Sequence, residues 1–399
     1  MLLSTLTVLL QSRLYWPAAA YGPDRLGGDV LPQLRYLRGA LAGGAGAQMQ
    51  GLFPEGDFFT HVLYGLSWVQ VGLRRPADAP LRAQAQTEAR WAAAYLATPA
   101  GRAPFTVGLE PPYGVFYAGW TLWLRSGILQ ITDPAARDPA EVAAYAADCA
   151  ALAAAFDRSA TPFLMAYPGQ AWPVDSTVAV AALRLHDTLT APRYSATIAR
   201  WIAAAQARRD PATGLLPHRV DPTDGSALDT PRASSSSIIA RFLDEIDPVW
   251  GADYYAAFRR QFVTTVAGLP GVREYPPGDD RAGDVDSGPL AAGVSLSASA
   301  VTLGAALAHG DRALADPLLQ MGEFAGVPLA WGDTKRYAFG LLPVGDAFLV
   351  WSKTARPWIA PLPIATYPQV VPIWWRWPLH LLGLALFALL WLPLRGRVR

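Results

Sequence analysis

Lysine is almost missing from this chain: among 399 residues only Lys335 and Lys353 carry an ammonium, and arginine supplies the rest of the positive charge. That bias assigns no function by itself. Acids and bases nearly cancel, leaving a formal net charge of +1, and only 16% of residues are charged. Such a chain lacks the basic field that draws a protein to a polyanion, so no nucleic-acid partner is expected. Cysteine is scarcer still. Cys149 stands alone in the alanine-rich stretch around Asp148, which excludes an internal disulfide and a cysteine metal cluster and reads as a small core residue. Also absent are a His-Glu-x-x-His helix, a Gly-x-Ser-x-Gly elbow and a phosphate loop, so neither metal nor cofactor is expected. Strand alternation is rare, which disfavours a sheet.

Apolar residues, by contrast, make up 52% of the chain, enough for one large core. Nearly charge-free helical segments begin near Asp57, Tyr113, Val174, Ser234, Gly293 and Gly345, recurring every 52 to 61 residues. Between them lie amphipathic segments at 31–43, 80–97, 139–156, 193–209, 252–267 and 311–324, whose charges mark a wet face. Asp57, Ser234 and Asp311 stand where N-caps are expected. A helix that is apolar on every side must be buried on every side. The pattern therefore predicts an all-α fold: an (α/α)6 toroid of six helical hairpins over residues 30–355, with a superhelical repeat array as the alternative.

The links between these segments are unequal. Inner-to-outer turns are short, whereas the outer-to-inner connections 44–56, 98–112, 157–173, 210–233, 268–292 and 325–344 are long. In a closed ring the long loops share one face, where the inner-helix N-termini present partial positive charge. That face carries the candidate site. Asp175 lies one turn inside a buried helix, where a carboxylate is costly unless paired or functional, and Asp284 and Asp286 lie in the acidic loop with Glu274, Asp279 and Asp280. These three are the catalytic candidates. Substrate-binding candidates are Glu55, Asp57, Tyr113, Tyr117, Trp172, His218, Arg232, Tyr275 and Trp331, mixing hydrogen-bonding groups with rings that stack on a sugar. Calcium is a further ligand for the acidic loop, although its spacing does not match an EF-hand.

The ends differ from the middle. Residues 1–29 begin with an apolar stretch lacking a basic leader, read as the remnant of a signal or anchor segment. After a proline-rich linker at 356–372, residues 373–394 form an apolar run preceded by tryptophans and followed by Arg395, Arg397 and Arg399. That order predicts a transmembrane helix with the basic tail, 395–399, in the cytoplasm and the main domain outside.

With the six-hairpin pattern, the loops Pro54-Glu55-Gly56-Asp57, Trp172-Pro173-Val174-Asp175 and Asp284-Val285-Asp286-Ser287-Gly288-Pro289, and the run Thr213-Gly214-Leu215-Leu216, the chain resembles the six-hairpin glycosidase-like superfamily. More distantly it is similar to linalool dehydratase-isomerase, whose paired cysteines it lacks. The first resemblance implies carboxylates at the inner-helix N-terminal face that act in glycoside hydrolysis or polysaccharide elimination. On this reading the chain is a membrane-anchored hydrolase acting on an extracytoplasmic glycan or glycolipid, with Asp175 as acid and Asp286 or Asp284 as base. A non-catalytic glycan- or lipid-binding toroid, or a lyase or dehydratase, is the alternative. Acids held by arginines would mark a structural network, and acids facing one another would favour hydrolysis.

Overall fold

The computed structural model describes residues 2–363 and 365–395, and it is mostly helical. In chain order the first half comprises α1 (Leu2–Ser12), α2 (Val30–Ala42), α3 (Ala45–Gln50), α4 (Gly56–Arg74), α5 (Ala79–Leu96), α6 (Pro99–Arg102), α7 (Gly114–Ile131) and α8 (Pro139–Arg158). There follow α9 (Pro173–Leu189), α10 (Ser195–Gln206), α11 (Ala233–Ile246), α12 (Pro248–Phe262), β1 (Val263–Val266), β2 (Leu269–Val272), β3 (Leu290–Ala291) and β4 (Val294–Ser295). The remainder are α13 (Leu296–Ala308), α14 (Arg312–Ala325), β5 (Leu329–Trp331), β6 (Thr334–Arg336), α15 (Pro343–Lys353) and α16 (Trp377–Arg395). The strands form three separate antiparallel hairpins, all within the long loops.

Burial sorts the helices into two sets. Along α4 every residue from Gly56 to Gly72 is buried, and α13 carries no charged side chain and is buried from Val301 to Ala308. Each of α4, α7, α9, α11 and α13 packs against the next of the set, and α15 packs back onto α4. The remaining long helices lie outside them: α5, α8, α10, α12 and α14 each pack on the inner helix that precedes them, while α15 takes α2 from the start of the domain as its partner. Joining the last inner helix to the first outer one leaves no inner helix with an open side.

The scarce lysines have a place in this closure. Lys335 and Lys353 both reach Asp29 (2.6 and 2.8 Å) and Glu323 (2.8 and 2.9 Å), with all four side chains buried, and Tyr21 and Tyr337 donate to the same acids. Two cations and two anions thus neutralise one another where the segment before α2 meets α14 and α15. Asp311 caps α14 as expected, accepting from the Leu314 N–H at 3.3 Å. The other two expected caps fail. Asp57 lies inside α4 with its side chain engaged elsewhere, and Ser234 donates to Glu274.

At the other extreme α1 and α16 pack against each other, tied where the end of the first meets the start of the second. Gln11 donates to the Leu379 carbonyl at 2.8 Å, and Tyr15 and His380 lie 2.8 Å apart. Leu6, Val8, Leu9, Leu381, Leu382, Leu384 and Leu389 are exposed on the pair. No helix among the described residues is long and apolar enough to cross a membrane. The tryptophans before α16 divide: Trp375 is buried against Leu14, Val371 and Leu379, whereas Trp374 and Trp377 remain exposed. Residues 396–399, including Arg397 and Arg399 of the expected basic tail, lie outside the described residues.

Candidate active site

Three carboxylates from separate parts of the chain lie near enough to feel one another's charge, with Glu55 and Asp286 both acting on Asp175 and Asp286 on Glu55. Glu55 immediately precedes α4, Asp175 lies in the first turn of α9, and Asp286 belongs to the loop that leads to α13. Each position follows from local chemistry. Trp172-Pro173 starts α9, with Pro173 in the first turn where its missing N–H is no loss, and so sets Asp175 one turn in. The Asp286 carbonyl accepts from Ser297 at 2.7 Å while Ser295 caps α13 through the Ala298 N–H at 3.0 Å, fixing the acidic loop to the helix it leads into.

Asp175 is only 4% exposed. Burial, and then the charges of Glu55 and Asp286, push its carboxyl well above the ordinary aspartate range. Glu55 is also raised by burial, against a hydrogen bond from the Tyr167 hydroxyl and with a further push from Asp286. Burial and the charge of Asp284 raise Asp286, which Arg232 partly offsets. Its side chain is still 38% exposed, so it has more access to solvent than Asp175. Burial and neighbouring negative charge thus favour the protonated form at all three, most strongly at Asp175, the most buried.

Asp284 behaves differently. Arg232 donates to both of its oxygens, at 2.6 and 2.7 Å, and to Glu274 at 2.8 Å. Burial works to raise the Asp284 carboxyl, but these bonds and the guanidinium charge hold it well below the usual range. The expectation of Asp284 as base is therefore corrected: an anion clamped by a bidentate arginine is a poor proton acceptor. Arg232 is corrected with it. Its side chain is 4% exposed and its donors are taken, so it braces the acidic loop and offers nothing to a substrate. Tyr275 lies beneath Arg232 and Arg281, with guanidinium carbons 5.2 and 4.5 Å from its ring centre, and is another brace. The other loop acids are paired as well, Asp279 with Arg281 and Asp280 with Arg273, which leaves no free set of oxygens for calcium there.

His218 joins the cluster. Its Nδ1 meets Ser235, and its Nε2 lies 3.4 Å from Arg232 and 3.9 Å from Asp286. Burial and the adjacent Arg232 depress its pKa to about 3, so the ring is neutral and, with the arginine facing Nε2, protonated at Nδ1. Trp172 stands edge-on to Tyr167 at 5.9 Å, next to Glu55.

Four expected residues lie elsewhere. Asp57 is turned to the outer layer, where its carboxylate accepts from Tyr95 at 2.6 Å and lies 2.9 Å from His61 Nδ1, beneath a His61–Tyr95 stack of 3.7 Å. Burial would raise that carboxyl, but the two hydrogen bonds hold it below its ordinary value, as suits a structural anion. Tyr113 and Tyr117 border a lateral groove with Arg102, and Trp331 is 84% exposed on the β5–β6 hairpin.

Tyr167 is the residue that sequence reasoning missed. It opens the turn Tyr167-Pro168-Gly169-Gln170, closed by the Gln170 N–H to the Tyr167 carbonyl at 2.9 Å, with Gly169 at φ 71°. Proline then glycine at the central positions is a type II turn signature, and it was the available signal that this ring is held in place. No protein-family model matches the chain, and no curated protein matches it either.

Proposed function

We propose that this chain is an (α/α)6 toroid of the six-hairpin glycosidase-like kind that hydrolyses a glycosidic bond in a glycan or glycolipid. The observation that carries the reading is the split among the loop acids: Asp284 is clamped by Arg232, while Glu55, Asp175 and Asp286 have raised carboxyls, with Glu55 and Asp286 both pushing Asp175 upward. Asp175, protonated at neutral pH, gives its proton to the glycosidic oxygen as the bond to the anomeric carbon breaks. Asp286, the more exposed and ionised acid, takes a proton from the water that adds to that carbon, or attacks it directly. Glu55, oriented by Tyr167, holds a sugar hydroxyl, and Trp172 and Tyr167 offer rings for stacking. Neutral His218 donates no proton to the leaving group; Ser235 and Arg232 hold it with its Nε2 3.9 Å from Asp286.

The apolar surface of α1 and α16, with exposed Trp374 and Trp377 at its base, supports attachment to a membrane. The test is turnover of a panel of aryl glycosides and envelope glycans by the full chain and by Asp175→Asn and Asp286→Asn. Each variant should lose about 10²- to 10⁴-fold in kcat, the usual worth of a general acid or base, with little change in KM. Unchanged turnover in both would remove the mechanism. Glycan binding without turnover in the unmodified chain would leave a binding protein.

A further inference from the structure

A cavity of about 520 Å³ lies away from the acids, in a trough between α5 and α8 with α7 as its floor. Small side chains create it: Ala93, Ala94 and Ala97 form one wall, Ala118 part of the floor and Ala151 part of the other wall. Along α7 the floor runs from Tyr117 to Ile128, roughly 16 Å at about 1.5 Å per residue. Its far end is crossed by the Arg90–Glu141 pair at 3.1 Å, and Arg125 is held there by Asp148. The near end opens beside Tyr113, on the same face of the molecule as the long loops.

The charges in the trough are unequal. Arg90 and Arg125 each have a carboxylate, whereas Arg102 has none among the described residues. Its Nε donates to the Tyr117 hydroxyl at 3.1 Å and its guanidinium carbon lies 5.1 Å from the Tyr113 ring centre, which orients the fork and leaves its outer N–H groups to the mouth. Tyr113 holds a left-handed backbone, φ 69°, which costs a non-glycine residue and is retained here at the mouth of the groove.

We infer that this trough binds a single-chain anionic amphiphile, its carboxylate on Arg102 and its alkyl chain along the floor of α7. The floor decides against a sugar. The floor's polar groups are already engaged, Thr121 donating to the Tyr117 carbonyl at 2.6 Å, the Tyr117 hydroxyl to the Leu96 carbonyl at 2.9 Å and Arg125 pairing with Asp148, and Ala118, Leu122, Leu124 and Ile128 offer nothing to a ring of hydroxyls. An alkyl chain needs no partners there, and burying it is favourable in proportion to its length. A carboxylate suits the planar fork of an arginine that has no other anion. The inference is independent of the hydrolytic reading, since no acid of the catalytic cluster borders the trough.

Calorimetric titration of the full chain with sodium decanoate, kept below micelle formation, tests it. The ligand should bind at one saturable site. Affinity should fall about tenfold or more with Arg102→Gln, and similarly when 1-decanol replaces decanoate. Ala94→Trp, on the exposed wall, should fill the trough and abolish binding without lowering Tm. Absence of saturable binding would overturn the inference. So would binding that survives both substitutions, because it would belong to the apolar surface of α1 and α16.

Discussion

At Asp175 stability and chemistry pull in opposite directions. Its folded-state pKa is raised, so folding favours the protonated form, and the unfolded chain loses its proton first as pH rises. The stability tied to this group is fully present below the ordinary aspartate range of about 3.9 and is lost as pH rises toward the folded value. Asp175→Asn should therefore be close to neutral near pH 3 and should raise Tm relative to the unmodified protein at pH 7, even as it removes turnover. Thermal melts at both pH values check this. A variant equally destabilised at both would make Asp175 a structural residue. His218 gives a second expectation. With a pKa depressed to about 3 it stays neutral throughout the working range, so the pH profile of turnover should show carboxyl limbs and no inflection near 6.5 that His218→Asn removes. Asp175 was legible in the sequence because a lone acid one turn into an apolar helix has few explanations. Asp57 looked similar and was misread, since its partners His61 and Tyr95 sit one turn onward and on another helix, and only packing reveals the second.

Between helices, buried ionic groups hold the ring together, among them the paired lysines and the Arg232 cluster, and they differ in kind from the three acids with raised carboxyls. Lys353 is shared between Asp29 and Glu323, so Lys353→Met would leave two buried carboxylates with Lys335 and, 4.0 Å from Glu323, the more exposed Arg13. Removing one member of a buried set strands the others, and a loss of about 3–5 kcal/mol in urea unfolding is expected. Arg232→Met should cost a similar amount by stranding Glu274 and should also loosen the loop that carries Asp286, lowering kcat while most of the helical circular dichroism persists. Recovery with Arg232→Lys should be partial, because an ammonium cannot hold both Asp284 oxygens in a fork. The inner and outer helices were readable from charge-free and amphipathic segments, since a helix without a polar face has only one stable environment. Less readable were the ends of elements: the helix expected from Gly293 starts at Leu296, after a β3–β4 hairpin that the run Leu290 to Ser295 forms. Short apolar runs beside glycine satisfy helix and strand periodicity alike, and tertiary contact decides. The pairing of the two lysines was invisible for the same reason, as residues 29, 323, 335 and 353 meet only when α15 takes α2 as its partner.

For the molecule as a whole, ring closure places the beginnings of the inner helices on one face, so Glu55, Asp175 and Asp286 converge although more than a hundred residues separate each from the next. Membrane attachment belongs to the same scale. Deleting α16 should release the protein from vesicles or membranes while leaving the Tm of the ring nearly unchanged, because that helix packs on α1 and on the small cluster of Leu14, Val371, Trp375 and Leu379 rather than on the main core. The convergence of the three acids is the point on which the hydrolytic reading stands, and it can be measured without knowing the substrate. Carbon-13 NMR of labelled aspartate and glutamate carboxyls, followed against pH in the full chain and in Asp286→Asn, should show Asp175 titrating far above about 3.9 and moving downward when the Asp286 charge is removed. An Asp175 carboxyl that titrates in the ordinary range, or that ignores the Asp286 substitution, would contradict the coupled acids and the mechanism built on them.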